Sequence, residues 1–261
     1  MPIHIKNYLT YYSFSSLDNL SIVHGIFMRH GGFSKSPWKG LNMATSVGDS
    51  RDNVIENRNR ILNCLGLKKD SIFDVWQVHS KKVIISQKPR NINTPHEKAD
   101  AIITSNPQVS LMMLFADCVP ILMYDPENQV CALVHAGWKG TVKNIAGASI
   151  DVLQKEFSSD PGAIIACIGP SICGKHYEVG RDVVGAAEKE FEENDLVIKE
   201  NDGKYFMDLH AANYQNLQKA GVEHIQVANI CTAENTEDWY SHRGESGEAG
   251  RFAVVLTINK R

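Results

Sequence analysis

Residues 111–136, LMMLFADCVPILMYDPENQVCALVHA, contain three apolar runs separated by short polar segments. The runs Leu111–Phe115 and Val130–His135 are apolar at consecutive positions, and Ile121–Tyr124 lies between them. A strand of this composition is buried on both of its faces. We therefore expect this stretch to form the central strands of a sheet that is covered on both sides.

Further short β-rich runs and four helical segments lie before and after this stretch. The runs are Ile22–Met28, Ile72–Val78, Val83–Ser86, Ala101–Thr104, Ala163–Ile168, Ile225–Ile230 and Phe252–Ile258. Apolar residues at helical spacing predict helices over Asp52–Leu65, Thr141–Phe157, Arg181–Glu193 and Leu209–Ala220. Because the helices do not alternate strictly with the strands, the pattern favours α+β layers over a doubly wound parallel sheet.

Length and charge limit the classes of protein that the chain can form. It has 261 residues, 43% of them hydrophobic, and a formal net charge of −3. No repeat or linker divides it, so we expect one domain over residues 1–261. No apolar run approaches the roughly 18 residues of a membrane span, and the N-terminus lacks the pattern of a signal peptide. We therefore expect a cytoplasmic protein that binds neither nucleic acid nor membranes; the oligomeric state stays open.

The six cysteines contain no C-x-x-C pair, which argues against a structural zinc ribbon. In a reducing compartment we expect all of them to be free thiols. Cys131 and Cys167 lie in apolar runs and are predicted to be core residues. We expect His176 to be a surface or capping residue.

Three segments place a possible metal ligand at the end of an apolar strand: VWQVHS with His79, ADCVPIL with Cys118 and VHAGWKGT with His135. Two imidazoles and one thiolate suit zinc and leave a fourth position open, which is typical of a catalytic site. The spacing matches no local motif, so a buried thiol and a hydrogen-bonded strand end remain alternatives. Motifs that hold nucleotide cofactors or identify serine hydrolases, such as G-x-G-x-x-G and G-x-S-x-G, are absent.

Together with other blocks, these three segments resemble the laccase-domain, or YfiH-like, family. The other blocks are MRHGGFS (28–34), LNMATSVGD (41–49), the N-x-x-x-N-R of Asn53–Arg58, ADAIIT (99–104), IGPSICGKHYEVG (168–180) and CTAEN…SHRGESGEAGR (231–251). The resemblance implies a four-layer α/β/β/α sandwich of mixed sheets. Members of the family are described as polyphenol oxidases, purine nucleoside phosphorylases and peptidoglycan editing factors.

The resemblance also implies the site residues. It assigns the catalytic and metal-binding roles to His79, Cys118 and His135. The residues that it places around the substrate are Arg29, Asn42, Gln77, Lys139 and Arg243. His242 stands where family members often carry Tyr, which affects the shape of that wall of the cleft.

The activity that the resemblance implies is zinc-dependent purine nucleoside phosphorolysis. Adenosine, inosine, guanosine or methylthioadenosine would react with phosphate to give a free base and ribose 1-phosphate, with adenosine deamination alongside. One zinc ion per chain is expected, and copper could occupy the same position because affinity rises toward Cu²⁺. The ten histidines include no H-x-H pair, so the sequence predicts one metal site and not a four-copper centre.

Other functions remain open from the sequence. Cys118 could act as the nucleophile of an amidase or peptidoglycan-editing hydrolase, with His79 or His135 as its base. A copper-dependent polyphenol oxidase is a further alternative, and so is a metal-dependent binding protein without turnover. The preferred purine nucleoside is not determined by the sequence.

Overall fold

Strands dominate the computed structural model of the chain, which describes residues 3–191 and 194–259. The strands in these residues are β1 (Ile3–Lys6), β2 (Leu9–Tyr12), β3 (Ile22–Phe27), β4 (Ile72–Phe73), β5 (Val83–Ile85), β6 (Ala101–Thr104), β7 (Ser110–Phe115), β8 (Val119–Asp125), β9 (Val130–Ala136), β10 (Ile165–Ile168), β11 (Glu178–Val179), β12 (Ile198–Asn201), β13 (Lys204–Met207), β14 (His224–Val227) and β15 (Phe252–Ile258). The α-helices are α1 (Arg51–Leu65), α2 (Trp138–Val142), α3 (Ile145–Phe157), α4 (Arg181–Glu190), α5 (Asn194–Val197) and α6 (Leu209–Lys219).

Two six-stranded sheets form the centre of the molecule. The first has the strand order β1-β2-β3-β15-β7-β4, and the second has the order β14-β10-β8-β9-β6-β5. Both are mixed, because β4 runs parallel to β7 while β14 and β5 run parallel to β10 and β6. A small sheet, β11-β13-β12, is not paired with either of them.

Three hydrophobic cores join these sheets and the helices into four layers. One core lies between the two sheets, a second joins α1 to the outer face of the first sheet, and the third joins the remaining helices to the outer face of the second sheet. The order of layers is therefore α/β/β/α, as predicted. Cys131 and Cys167 are fully buried in the core between the sheets, which confirms their predicted place.

The central strands show why residues 111–136 are so apolar. In β9, Leu133 packs between the sheets and Val134 packs against the helices. In β7, Met113 packs between the sheets and Met112 packs against the layer of α1. Successive side chains of a strand point to opposite faces, so a strand covered on both sides needs apolar residues at every position.

Two predicted elements differ from the structure. The segment Thr141–Phe157 is not one helix, because Asn144 has left-handed backbone angles and its side chain accepts a hydrogen bond from Gly147 N. Asn144 thus ends the turn of α2 and caps α3. The predicted strand Ile72–Val78 is paired in the sheet only over β4; beyond it the chain leaves the sheet and carries His79 toward the site.

Smaller differences concern the remaining elements. Strands β1, β2 and β11–β13 were not predicted. Helix α4 ends at Glu190, and the end of its predicted span lies partly outside the described residues. In the described part of the chain, no helix is both long enough and apolar enough to cross a membrane.

Candidate metal-binding active site

The hairpin of β8 and β9 brings two of the predicted ligands together. Its register pairs Val119 with Ala136, so Cys118, just before β8, lies beside the end of β9 that carries His135. His79 approaches from the loop between β4 and β5, where it has a positive φ of 58°. Its Nε2 is 3.7 Å from Cys118 Sγ. One ligand atom from each of the three side chains lies within 4.8 Å of the other two.

The wholly buried carboxylate of Asp100 holds the two histidines in place. Its Oδ1 accepts hydrogen bonds from His79 N and from His135 Nδ1, each at 2.9 Å. Its Oδ2 accepts from Ser80 N at 2.6 Å and from Ser80 Oγ at 2.8 Å. Because Nδ1 of His135 is used in this way, Nε2 is the ring nitrogen left for the cluster. A carboxylate in this position is typical of histidines that bind metals.

The charges of these groups depend on one another. Burial raises the pKa of Cys118, but the neighbouring His135 and His79 outweigh it and bring the pKa down to about 6. Burial lowers the pKa of His135, but Cys118 and Asp100 outweigh it and raise the pKa to about 9. The pKa of Asp100 falls to about 2 despite its burial, since His135 and Ser80 donate to it. Without a metal, the Cys118–His135 pair is therefore a thiolate and an imidazolium near neutral pH.

The residues present fit a metal ion. The two imidazoles and the thiolate are a donor set that suits borderline divalent metals. Gly137 leaves the space that such a cluster needs: a Cβ at this position would lie 2.8 Å from both Cys118 Sγ and His79 Cδ2. These three side chains can supply three ligands and leave a further coordination position toward the cleft.

A cleft of about 570 Å³ opens above these three side chains. This volume is within the range of sites that bind small molecules. Lys139 and Arg243 line the cleft, as the resemblance implied, and both are exposed. Within residues 3–191 and 194–259, the ammonium of Lys139 forms no hydrogen bond or ion pair; it lies 5.5 Å from the ring centre of Trp138. The Arg243 guanidinium lies 5.3 Å from the ring centre of Tyr177.

Gln77 also lines the cleft, but its side chain is used by the fold. Its Nε2 donates to Leu114 O at 2.8 Å, and its Oε1 accepts from Leu114 N at 3.0 Å. The amide therefore extends the edge of β7 as a peptide group would. This pairing holds the segment that connects β4 to His79.

Arg29 and Asn42 do not line the cleft, in contrast to the expectation of substrate contact. Arg29 pairs with Glu245 at 2.9 Å and donates to Thr236 O. Asn42 is fully buried; its Nδ2 donates to Asp49 and its Oδ1 accepts from Arg251 N. Both side chains are engaged in contacts within the protein, and their role in substrate binding stays a prediction.

Several residues of the cleft were not predicted as site residues. They are Arg58, Asp74, Trp76, His96, Tyr177 and Arg251; His242 also lines the cleft, as the resemblance implied. Asp74 is paired with Arg58, Arg90 and His96, at 2.6–3.3 Å. Arg58 and Arg251 stand at the ends of the blocks N-x-x-x-N-R and SHRGESGEAGR, so the sequence carried a signal for them. Tyr177 and Trp76 also lie in quoted segments, IGPSICGKHYEVG and VWQVHS, but neither was predicted as a site residue because an aromatic residue is more often part of a core.

Asp117 ties the C-terminal block to the turn that carries Cys118. Its Oδ1 accepts from Thr232 Oγ1 at 2.7 Å and from Ser241 Oγ at 2.6 Å. Its Oδ2 accepts from Arg243 N at 2.6 Å. Arg243 is thereby held at the cleft although it is far from Cys118 in the sequence.

Comparison with known proteins agrees with this fold. The sequence profile of the family described as "Multi-copper polyphenol oxidoreductase laccase" matches residues 23–259. The chain therefore belongs to this laccase-like family, which confirms the resemblance. It is 37% identical to the purine nucleoside phosphorylase of Deinococcus radiodurans, over 93% of this chain and 92% of that protein.

Two further similarities extend over nearly the whole chain. The purine nucleoside phosphorylase YlmD of Bacillus subtilis is 32% identical over 93% of this chain and 91% of its own. The crystal structure of YlmD from Geobacillus stearothermophilus is similar with a TM-score of 0.91 and 30% identity, over 99% of both chains. The latter similarity confirms the α+β fold of mixed sheets.

Proposed function

We propose that the chain is a zinc-dependent purine nucleoside phosphorylase with adenosine deaminase as a second activity. One observation carries the proposal: an open three-ligand metal group and two exposed cations, Lys139 and Arg243, share one cleft. The name carried by relatives of similar length supports the choice of substrate class.

His79, Cys118 and His135 would hold the zinc ion. Tetrahedral zinc with Zn–S near 2.3 Å and Zn–N near 2.05 Å separates a sulfur and a nitrogen ligand by about 3.6 Å. The distance of 3.7 Å between Cys118 Sγ and His79 Nε2 supports this assignment. Zinc bound there would supply Lewis acidity at an open coordination position. The same donors would also accept Cu²⁺.

Lys139 and Arg243 would bind the phosphate. A guanidinium can donate two parallel hydrogen bonds to phosphate oxygens, and an ammonium adds a positive charge without fixed geometry. The ammonium of Lys139 has no carboxylate partner among the described residues, so binding an anion breaks no ion pair. Arg243 donates through Nη1 to Glu178 O at 3.0 Å, which orients its guanidinium at the cleft.

The aromatic side chains of the cleft would hold the nucleoside. Trp76 is half exposed there, and Tyr177 lies beneath the guanidinium of Arg243. Burial raises the pKa of Tyr177, so its hydroxyl stays protonated and can donate a hydrogen bond to the base. Adenosine, inosine, guanosine and methylthioadenosine all offer a purine ring of suitable size.

In phosphorolysis, a phosphate oxygen forms a bond to the ribose C1′ while the bond from C1′ to the purine nitrogen breaks. The proton lost by hydrogen phosphate ends on the released base, and the other product is ribose 1-phosphate. In deamination, adenosine and water give inosine and ammonia. We propose both reactions for this cleft.

The phosphate role of Lys139 can be tested with a matched pair of variants. Lys139→Ala should lower kcat/KM for phosphate, with inosine saturating, by roughly 10- to 150-fold, which corresponds to the loss of about 1.5–3 kcal/mol from a charged hydrogen bond. Lys143→Ala, at the exposed end of α2, should leave it unchanged. Equal phosphate kinetics in the two variants would remove Lys139 from the proposed site.

A thiol hydrolase is the second candidate, and one observation favours it. Cys118, His135 and Asp100 are arranged as in a thiol hydrolase: the thiolate lies beside the imidazolium, and the carboxylate orients the imidazole. Metal-free protein with amidase activity that iodoacetamide destroys would support this candidate. Oxygen-dependent oxidation of phenols only after addition of copper would support a polyphenol oxidase.

A further inference from the structure

We propose a second binding site for a zinc-like cation, formed by Cys173, His176, Cys231 and Glu234. This site lies outside the cleft described above and goes beyond the proposed function. The sequence predicted a single metal site. The structure adds this second cluster because residues 58 positions apart in the sequence lie close together.

Two similar turns supply these four side chains. The first is Cys173-Gly-Lys-His176, in which His176 N donates to Cys173 O at 3.0 Å. The second is Cys231-Thr-Ala-Glu234, in which Asn235 Nδ2 donates to Cys231 O at 2.8 Å. Each turn presents a cysteine and, three residues later, a histidine or glutamate. Backbone hydrogen bonds hold the turns against each other, since Thr232 N donates to Ser171 O at 3.0 Å.

The distances within the cluster match those of a tetrahedral zinc site. Such a site separates sulfur and nitrogen ligands by about 3.6 Å, and nitrogen and oxygen ligands by about 3.4 Å. His176 Nδ1 lies 3.4 Å from Cys173 Sγ and 3.8 Å from Cys231 Sγ. It lies 3.4 Å from Glu234 Oε1. One atom from each of the four side chains lies within 4.8 Å of the others.

The surroundings of the cluster also suit a bound cation. Cys173 N donates a hydrogen bond to Cys231 Sγ at 3.3 Å, and a donor of this kind stabilises a thiolate ligand. A cavity of about 890 Å³, lined by Cys173, Cys231 and Glu234, gives access from solvent. Two thiolates and an imidazole select a soft or borderline metal over Ca²⁺ or Mg²⁺. Four protein ligands complete the coordination shell, which is typical of a structural zinc site.

A cation at this cluster would stabilise the wall of the catalytic cleft. Tyr177, which lines that cleft, directly follows His176 in the chain. Thr232 directly follows Cys231, and its hydroxyl donates to Asp117, the residue before Cys118. A cation that joins the two turns would thus restrict the movement of Tyr177 in the cleft wall and of Asp117 beside Cys118.

Counting metal ions in single-site variants tests the proposal. Reduced protein is loaded with Zn²⁺, freed of excess and analysed for zinc per chain, and Co²⁺ loading is followed by the absorption of cobalt–thiolate bonds. We expect two zinc ions per chain in the unaltered protein and one in Cys118→Ala, which retains only the second site. His176→Ala, which changes an exposed side chain and should fold, is expected to lose the other ion. His224→Ala is the matched control on an exposed histidine outside both groups.

The outcomes separate this proposal from the proposed function. In Cys118→Ala, Zn²⁺ should still raise the melting temperature, and the further change His176→Ala should abolish that rise. One zinc ion in the unaltered protein and none in reduced Cys118→Ala would overturn the second site while leaving the first intact. Loss of zinc in Cys118→Ala together with full zinc in His176→Ala would lead to the same conclusion.

Discussion

Replacement of Asp100 by Asn tests how the candidate active site is held together. The carboxylate accepts hydrogen bonds from five donors: Val78 N, His79 N, Ser80 N, Ser80 Oγ and His135 Nδ1. An amide has one oxygen that accepts and one nitrogen that donates, so at least two of these donors lose their acceptor. A buried donor without a partner costs about 1–3 kcal/mol. The metal-free Asp100→Asn variant should therefore lose about 2–6 kcal/mol of unfolding free energy.

The same change should weaken metal binding. If the amide nitrogen faces His135 Nδ1, it favours the tautomer with the proton on Nε2, the nitrogen that the metal needs. Loss of such an orienting partner lowers metal affinity by about 10- to 100-fold. Zinc affinity is measured by competition with a chromophoric chelator, and stability by urea unfolding after treatment with EDTA.

Asp125→Asn is the matched control. Asp125 is equally buried and accepts from Glu127 N, Asn128 N and Asn128 Nδ2 in the turn after β8. It lies at the end of the strand opposite to Cys118, about 20 Å away along seven residues. Asp125→Asn should lose stability but keep its zinc affinity. Unchanged zinc affinity in Asp100→Asn would refute the role assigned to Asp100.

Three other changes have defined outcomes. Burial, opposed by Asp18 and aided by His4, lowers the pKa of His24 from 6.5 to about 4. Because the unfolded chain takes up the proton first, the free energy of unfolding should fall by about 3 kcal/mol as the pH falls from 6.5 to 4. Urea unfolding of His24→Gln at the same pH values should lack this loss. Gly137→Ala places a Cβ 2.8 Å from Cys118 Sγ. Competition with a chelator should therefore show that zinc binds less tightly, by about 1–3 kcal/mol. Gly185→Ala, whose Cβ has no neighbour within 4 Å, should leave the zinc affinity unchanged. Asn144→Ala removes the cap of α3 and should cost about 1–2 kcal/mol in urea unfolding; a loss of the same size in the surface variant Asn93→Ala would contradict the capping role.

The layered fold could be predicted from the central strands because their apolar pattern reflects burial on both faces. The break at Asn144 could not, since the apolar spacing continues through it and only the backbone angles reveal the cap. The strand predicted over Ile72–Val78 was longer than β4 for a similar reason. Beyond β4, its apolar residues lie in a loop beside the cleft, and composition alone does not distinguish such a loop from a strand.

For the candidate sites, the sequence predicted what lies at strand ends and missed what depends on long-range pairing. His79, Cys118 and His135 each follow or end an apolar run, and the structure brings their side chains together. Asp100 lies in the block ADAIIT, but the sequence does not predict its role, because its five donors come from two distant segments. Cys173 and Cys231 did not suggest a metal group, since neither belongs to a C-x-x-C pair.

The most direct test of the proposed function is the formation of ribose 1-phosphate from inosine by metal-stripped and zinc-reloaded protein. We expect hypoxanthine and ribose 1-phosphate in equal amounts from the reloaded protein, in proportion to phosphate at low concentration. Stripped protein should form neither product, and Cys118→Ala should form neither after reloading. Zinc bound at His79, Cys118 and His135 without ribose 1-phosphate from any purine nucleoside would contradict the proposed function.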